Sequence, residues 1–215
     1  MPFPILPNFP AAFVRLIFST LLALCAIGPV HAQEPVNPKG APADFVKAVS
    51  NNALDAVKQK KGSQTITVAA INEIVNQYVL PYVNLEKTTQ LSAGRYWRQA
   101  SAQQQQALIQ AFKGTLIRTY SGAFNQVDSR SAFQMQPFRG DASADDVVVR
   151  STLTQGNRPS VGIDYRLEKT PAGWKIYDLN VEGIWLIQNY RNQFAQEISQ
   201  GGIDGLIQTL NQRNK

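Results

Sequence analysis

Hydrophobic positions along this chain change period twice. From Pro42 or Ala43 to Lys60, the residues Phe45, Val46, Val49, Ala53, Leu54 and Val57 fall on one stripe, which predicts an amphipathic helix. Lys58, Lys60 and Lys61 then gather at its C-terminal end before Gly62, where cations complement the helix dipole. A second helix is predicted over Val68–Val79, with Ile71, Ile74, Val75 and Tyr78 at helical spacing and Pro81 ending it. Leu85–Arg98 reads as a short helix or pair of turns broken near Gly94. Ser101-Ala102-Gln103-Gln104 has the form of a capping box. The helix it opens carries Leu108, Phe112, Leu116, Tyr120 and Phe124 at steps of four, and about 24 residues would span roughly 36 Å.

At Ala132 the period becomes two. Phe133 and Met135, then Val147, Val149, Ser151 and Leu153, then Val161, Ile163, Tyr165 and Leu167, alternate with their neighbours. Turn residues at Gln155–Arg158 and Thr170–Gly173 separate successive runs, and a last run covers Trp174–Val181. Four sequential strands in an antiparallel meander are expected, a sheet that can keep one face wet and bury the other. After Gly183 the helical period returns with Leu186, Ile187, Tyr190, Phe194 and Ile198. Gly201-Gly202 ends it, and a short helix follows from about Asp204 with Ile203, Leu206, Ile207 and Leu210 as its apolar side. The fold class is α+β: several helices packed over a twisted four-stranded antiparallel sheet.

The first 32 residues stand apart. Arg15, the uncharged apolar run Leu16–Ile27 and the small residues of Val30-His31-Ala32 form an export signal that is expected to be cleaved before Gln33. The run is short of the about 20 residues of a membrane span. Leu22-Ala23-Leu24-Cys25 offers the alternative of a lipid-anchored start, but Leu24 is larger than such signals carry. Residues 33–41, with Pro35, Pro38 and Gly40, read as a linker, and 42–215 as a single domain.

Composition then narrows the chemistry. Cys25 and His31 are the chain's one cysteine and one histidine, and both sit in the leader. The exported remainder has no imidazole base, no thiol nucleophile, no disulfide and no metal site of the usual zinc type. The formal charge of +6 becomes one unit smaller without Arg15, and the charges are scattered. A nucleic-acid partner is therefore not expected. An anionic membrane surface or a docking protein suits the charge better.

Several segments resemble a known family. Val79-Leu80-Pro81-Tyr82-Val83, Gly94-Arg95-Tyr96-Trp97, and Phe112 and Tyr120 at their spacing look like the MlaC proteins, also called toluene-tolerance auxiliary proteins. So do Trp174-Lys175-Ile176-Tyr177-Asp178, Glu182-Gly183, Asn189-Tyr190-Arg191 with Phe194, and Gly202-Ile203-Asp204-Gly205-Leu206. The likeness covers about Pro42 to Leu210. It departs at Trp185, where the family commonly has serine, and at Ser92-Ala93-Gly94, where leucine usually precedes the glycine.

The resemblance implies an NTF2-like sheet with an added helical part, acyl chains lying between sheet and helices. It implies a periplasmic carrier of glycerophospholipid that maintains outer-membrane lipid asymmetry. Its partners would be an outer-membrane lipoprotein complex and an inner-membrane ABC transporter with an MCE-domain subunit. No cofactor is expected beyond the lipid cargo, and no enzymatic activity. Exposing a methylene costs about 0.8 kcal/mol, so carrying a two-chain lipid through water unaided would cost on the order of 20 kcal/mol, which an apolar interior removes.

The expected lipid-binding positions are Phe112, Leu116 and Tyr120 on the long helix, Val149, Val161, Ile163 and Tyr165 on the sheet, and Leu186 and Tyr190 after it. Tyr82, Tyr96 and Trp97, following a proline and a glycine, are candidates for the rim of a mouth or, equally, for anchors of the core. Arg95, Arg98 and Arg191 are candidates for the headgroup phosphate. The alternative reading is an NTF2-like isomerase or dehydratase built on a carboxylate, for which Asp164 and Asp178, beside Tyr165 and Tyr177, are the attractive acids. That enzyme would need an inward carboxylate beside a tyrosine. A non-lipid binding module would show a filled core and an exposed groove.

Overall fold

The computed structural model describes residues 33–62, 65–141 and 143–215, and Glu34–Lys215 form one compact unit. The expected leader cleavage site and the fate of Cys25 lie outside the described residues. Helix α1 (Pro42–Lys61) has Pro42 in its first turn, Asp44 near its N-terminus and the three lysines in its last turn. Lys60 pairs with Glu73 at 2.9 Å, and the Lys61 ammonium donates to the Asn125 and Val127 carbonyls. The lysines therefore also tie the helix end to neighbouring segments.

Helix α2 (Val68–Ile74) is shorter than its apolar spacing predicts. A π turn, Val75–Val79, and a 3-10 turn, Leu80–Tyr82, continue it. The Pro81 ring would collide with the carbonyl four residues earlier in α geometry, and widening the turn relieves that clash. Helix α3 (Leu85–Ala93) ends at Gly94, whose φ is +58, and a 3-10 segment Gly94–Gln99 follows. Helix α4 (Ala102–Phe124) opens with the expected capping box: Gln104 N–H donates to Ser101 Oγ at 3.2 Å, and Ser101 N–H donates to Gln104 Oε1 at 3.0 Å.

Strands β1 (Ala132–Met135), β2 (Asp146–Gln155), β3 (Arg158–Thr170), β4 (Gly173–Val181) and β5 (Ile184–Trp185) pair antiparallel in sequence order. The sheet thus has one strand more than the pattern predicts. Glu182 and Gly183, with φ of 52 and 87, make a two-residue turn that brings Ile184–Trp185 back beside Asn180–Val181 before the helix begins. Glu182 N–H donates to the Gly162 carbonyl at 3.1 Å, and its carboxylate accepts the Gly162 N–H. Helix α5 (Leu186–Arg213) is divided at Gly202, φ 67 and ψ −171, where the sequence places its break.

Residues 33–41 do not hang free. Glu34 exchanges backbone hydrogen bonds with the Asn52 side chain at 3.0 and 2.8 Å, the Trp174 N–H donates to the Pro38 carbonyl at 2.7 Å, and the Trp174 indole donates to Gly40 O at 3.1 Å. Gly173, with φ +110, leaves room for that approach; a Cβ there would overlap the Pro38 carbonyl. The stretch turns at Pro38–Gly40, where the Gly40 N–H donates to the Asn37 carbonyl at 3.2 Å, and the turn docks against the start of β4.

Three apolar clusters fill the interior. One joins Trp97, Leu108, Phe112, Leu186, Tyr190, Phe194, Leu206 and Leu210 from α4, α5 and the segment before them. A second packs Phe45, Val46 and Val49 of α1 on Val147, Val149, Tyr165, Leu167, Trp174 and Ile176 of the sheet. The third joins Leu54, Val57, Ile66, Ile71, Ile74, Ile117 and Val127.

Candidate functional site

Register and alternation put the four expected sheet positions on one face. Val149 opposes Tyr165, Ser151 opposes Ile163, and Leu153 opposes Val161. Phe133 and Met135 of β1 and Leu179 and Val181 of β4 join the same face through their own pairings with Leu153, Ser151, Tyr165 and Ile163. Burial along this face is uneven. Leu167, Val149, Val147 and Tyr165 are buried under α1, but Leu153, Val161, Ile163, Leu179 and Val181 are only half-buried.

Half-buried apolar side chains also edge the helices: Leu116, Tyr120 and Phe124 of α4, Val75 and Tyr78 after α2, and Tyr82. They pack against the rims of all three clusters, and Leu179 touches both the helical and the α1–sheet cluster. Large aliphatic and aromatic groups are thus left partly wet on one sheet face and along the edges of the helices. At about 25 cal/mol per Å², such surface gains by accepting an apolar chain.

The expected lining residues thus separate into two kinds. Leu116, Tyr120, Val161, Ile163 and Tyr82 are half-buried and keep apolar surface open to a ligand. Phe112, Val149, Tyr165, Leu186, Tyr190 and Trp97 are buried. Phe112 stacks edge-on with Tyr190 at 4.7 Å and Phe194 at 4.9 Å, and Phe45 with Tyr82 at 5.9 Å. The Tyr165 hydroxyl meets Ser50 Oγ at 3.1 Å, and burial pushes its pKa up, so it remains a neutral donor or acceptor. Trp97 is enclosed in the helical cluster, away from any rim. Leu153, Leu179, Val181 and Phe133 also belong to the half-open face; their alternation was legible, but which end of it stays unfilled depends on where the helices lie.

The arginines do not converge. Arg191 donates through Nε and Nη2 to the Leu91 carbonyl at 3.0 and 2.9 Å, tying α5 to α3. Arg95 donates to the Tyr96 hydroxyl at 3.0 Å, and Arg98 is exposed.

Neither acid of the alternative reading lies on the apolar face of the sheet. A bulge in β4 makes Arg166 oppose Asp178 and Leu167 oppose Ile176, leaving Tyr177 as the extra residue. Ile176 and Leu179 therefore point to the apolar face, and Asp178 and Tyr177 to the other. There Asp178 Oδ2 accepts from Arg166 Nη1 at 3.0 Å, and its Oδ1 accepts the N–H groups of Leu179 and Ile187 at 3.0 and 3.1 Å. Tyr177 donates to Asp146 at 2.7 Å, an acceptor whose charge adds to burial in pushing the phenol pKa up. Asp164 lies 3.9 Å from Arg150 on that same face. Trp185, the departure from the family serine, stacks under the Arg166 guanidinium at 3.8 Å.

Among the described residues no group of three or more His, Cys, Asp or Glu gathers as a metal site, and no helix is long and apolar enough to cross a membrane.

Comparison with known proteins agrees with the geometry. A solved structure of a phospholipid-binding protein from Ralstonia solanacearum in complex with a phospholipid is 40% identical, covering 81% of this chain and 97% of that one with a TM-score of 0.76. The toluene tolerance protein ttg2D of Pseudomonas putida is 25% identical over 167 residues, 76% of this chain and 75% of its own. The intermembrane phospholipid transport system binding protein MlaC of Haemophilus influenzae is 24% identical over 144 residues, 66% of this chain and 67% of its own. The family model described as MlaC protein matches residues 47–212, and the chain belongs to that family.

Proposed function

We propose that this protein is a periplasmic phospholipid carrier that takes glycerophospholipid between an outer-membrane lipoprotein complex and an inner-membrane ABC transporter with an MCE-domain subunit. The observation that carries the reading is the half-buried apolar face of Leu153, Val161, Ile163, Leu179 and Val181, together with the half-buried Leu116, Tyr120 and Phe124 of α4. The likeness to a structure that holds a phospholipid supports it. Bilayer and apolar face are alike in polarity, so the exchange of a chain between them is nearly balanced, and the partner complexes set the direction. The carrier's own residues need only bind and release. Asp164 and Asp178, engaged with arginines on the opposite face, give the isomerase alternative no support.

The deciding experiment is to purify the exported chain, extract it with organic solvent and examine the extract by mass spectrometry. Phospholipid at close to one molecule per protein is expected. An extract free of phospholipid, from protein that also fails to take up lipid from vesicles, would overturn the proposal.

A further inference from the structure

A second site lies on the helical side of the molecule. A cleft of about 350 Å³ opens between α4 and the two arms of α5. That is near the lower end of the about 300–1,000 Å³ usual for ligand pockets, and it suits a polar group rather than an entire two-chain lipid. Its walls are unlike the apolar face of the sheet. Arg118 and Arg213 supply two guanidinium groups, Tyr120 and Tyr190 two phenols, and Asn189 and Gln193 two amides, with no carboxylate among the lining residues.

The cleft is held in shape by the chain's C-terminal end. The Asn214 amide donates to the Ala111 carbonyl at 2.9 Å and its oxygen accepts from Thr115 Oγ1 at 3.1 Å. It fits because Gly114 has no side chain: a Cβ there would lie 2.6 Å from Asn214 Nδ2. Arg213 Nη2 donates to Glu197 at 3.0 Å, which uses one face of that guanidinium. Arg118 meets no carboxylate among the described residues; its one hydrogen bond is a long one, 3.5 Å, to the Asn214 carbonyl.

Tyr190 supplies the independent observation. The residue is only 5% exposed and lines the cleft, and its hydroxyl, which meets no protein partner among the described residues, is the part that solvent reaches, so it is free to donate to a ligand there. Tyr120, half-buried, lines the cleft as well, and burial together with Tyr190 pushes its pKa up, so it stays a protonated donor. Donors without acceptors, gathered with two guanidiniums, are matched by an oxyanion with several acceptor oxygens.

We propose that this cleft is a binding site for a phosphate group, with Arg118 as its principal cation and the Tyr120 and Tyr190 hydroxyls as neutral donors. The group would come from a phospholipid headgroup or from free phosphate, and the headgroup source rests on the carrier reading above. Tyr120 belongs both to this cleft and to the half-buried stripe of α4, so a lipid with its phosphate here has an apolar path beside it. Arg213 and Asn214 lie just beyond residues 47–212, the part matched by the family model.

The test titrates the exported full chain with inorganic phosphate and, separately, with dihexanoyl phosphatidylglycerol, in the wild type and in Arg118→Gln, Tyr190→Phe and Arg95→Gln. Arg118 is exposed and the Tyr190 hydroxyl is unpartnered, so neither substitution disturbs packing; circular dichroism and the melting temperature check this. Arg118→Gln should weaken binding about tenfold and Tyr190→Phe several-fold, the scale of one charged and one neutral hydrogen bond, while Arg95→Gln changes nothing. Weakening of both ligands, or of the lipid alone, identifies the headgroup. Weakening of phosphate alone supports the site with free phosphate as its occupant. Binding of neither ligand, or equal binding in all four proteins, overturns the proposal, and the carrier reading survives that result if lipid is still extracted. An extract without phospholipid, alongside a phosphate isotherm that needs Arg118, removes the carrier and keeps the site.

Discussion

The Asp178 carboxylate, fully shielded from solvent, accepts the backbone N–H of Ile187 at 3.1 Å and so caps helix α5 from a neighbouring strand. Ile187 is the second residue of that helix, and Trp185 at the N-cap position makes no side-chain cap. One buried acid thus joins the β4 bulge, Arg166 and the start of α5. Asp178→Asn keeps an acceptor for the two N–H groups but turns a donor toward Arg166, and it should cost about 1–3 kcal/mol in unfolding free energy, read by urea denaturation. A loss within error would show that the Arg166 pair contributes nothing.

The same carboxyl carries a pH signature. Burial pushes its pKa up, against the opposing Ile187 N–H, Arg166 and Leu179 N–H. A carboxyl that holds its proton more tightly when folded favours folding while protonated, and that contribution is lost as pH rises from the ordinary aspartate range through the raised folded value. The stability gap between wild type and Asp178→Asn should therefore narrow as pH rises from about 4. A gap that widens instead would mean that Arg166 and the N–H donors outweigh burial.

Trp185→Ser tests the exchange of one helix-start device for another. The substitution removes the stacking under Arg166, worth about 0.5–1 kcal/mol at a partly exposed site, and supplies a hydroxyl at the N-cap worth about 1 kcal/mol. The two nearly cancel, so the denaturation midpoint should hardly move. Trp185→Ala loses the stacking and gains no cap, and should fall below both.

The helices, the capping box, the strand alternation and the break at Gly202 were all legible, because each follows from spacing or from one residue's backbone preference. Three features were not. The fifth strand depends on Glu182 accepting φ 52 beside Gly183, an uncommon conformation for a glutamate that the Gly162 contacts hold in place. The β4 bulge turns Asp178 away from the apolar face, and nothing in the alternation of Trp174–Val181 marks Tyr177 as the extra residue. The docking of residues 33–41 depends on a long-range match between Pro38 and Gly173. The expected lining positions share the apolar sides of the sheet and of α4, and whether each is sealed or half-open depends on which helix covers it. Nothing in the sequence pattern marks Arg118 and Arg213, because they come to share a cleft with Tyr190 and Asn214 only through tertiary packing.

Gly114→Ala would ordinarily stabilise a helix interior by about 0.5–1 kcal/mol. Here the added Cβ collides with the Asn214 amide, whose hydrogen bonds to Ala111 and Thr115 fix the end of α5. The gain should be cancelled, and amide exchange at Leu210–Asn214 should quicken while that of α1 stays unchanged. Unaltered exchange at the C-terminal end would show that Asn214 does not hold α5 in place.

Val149 and Ile163 lie on one face of the sheet, two register pairs apart, and differ chiefly in burial: Val149 is 1% exposed and packed under α1, whereas Ile163 is half-buried. An aspartate at Val149 buries an unpaired charge in a filled core, which costs several kcal/mol and should leave little folded protein. An aspartate at Ile163 or Leu116 keeps access to water, so the fold should survive with a loss of about 1–2 kcal/mol. Its charge would then lie where an acyl chain has to pass, and the phospholipid recovered per folded protein should drop several-fold. Lipid recovery equal to wild type in both Ile163→Asp and Leu116→Asp would remove this part of the apolar face from the binding path, leaving the stripe of Tyr78, Phe133 and Phe124 as the surface to test next.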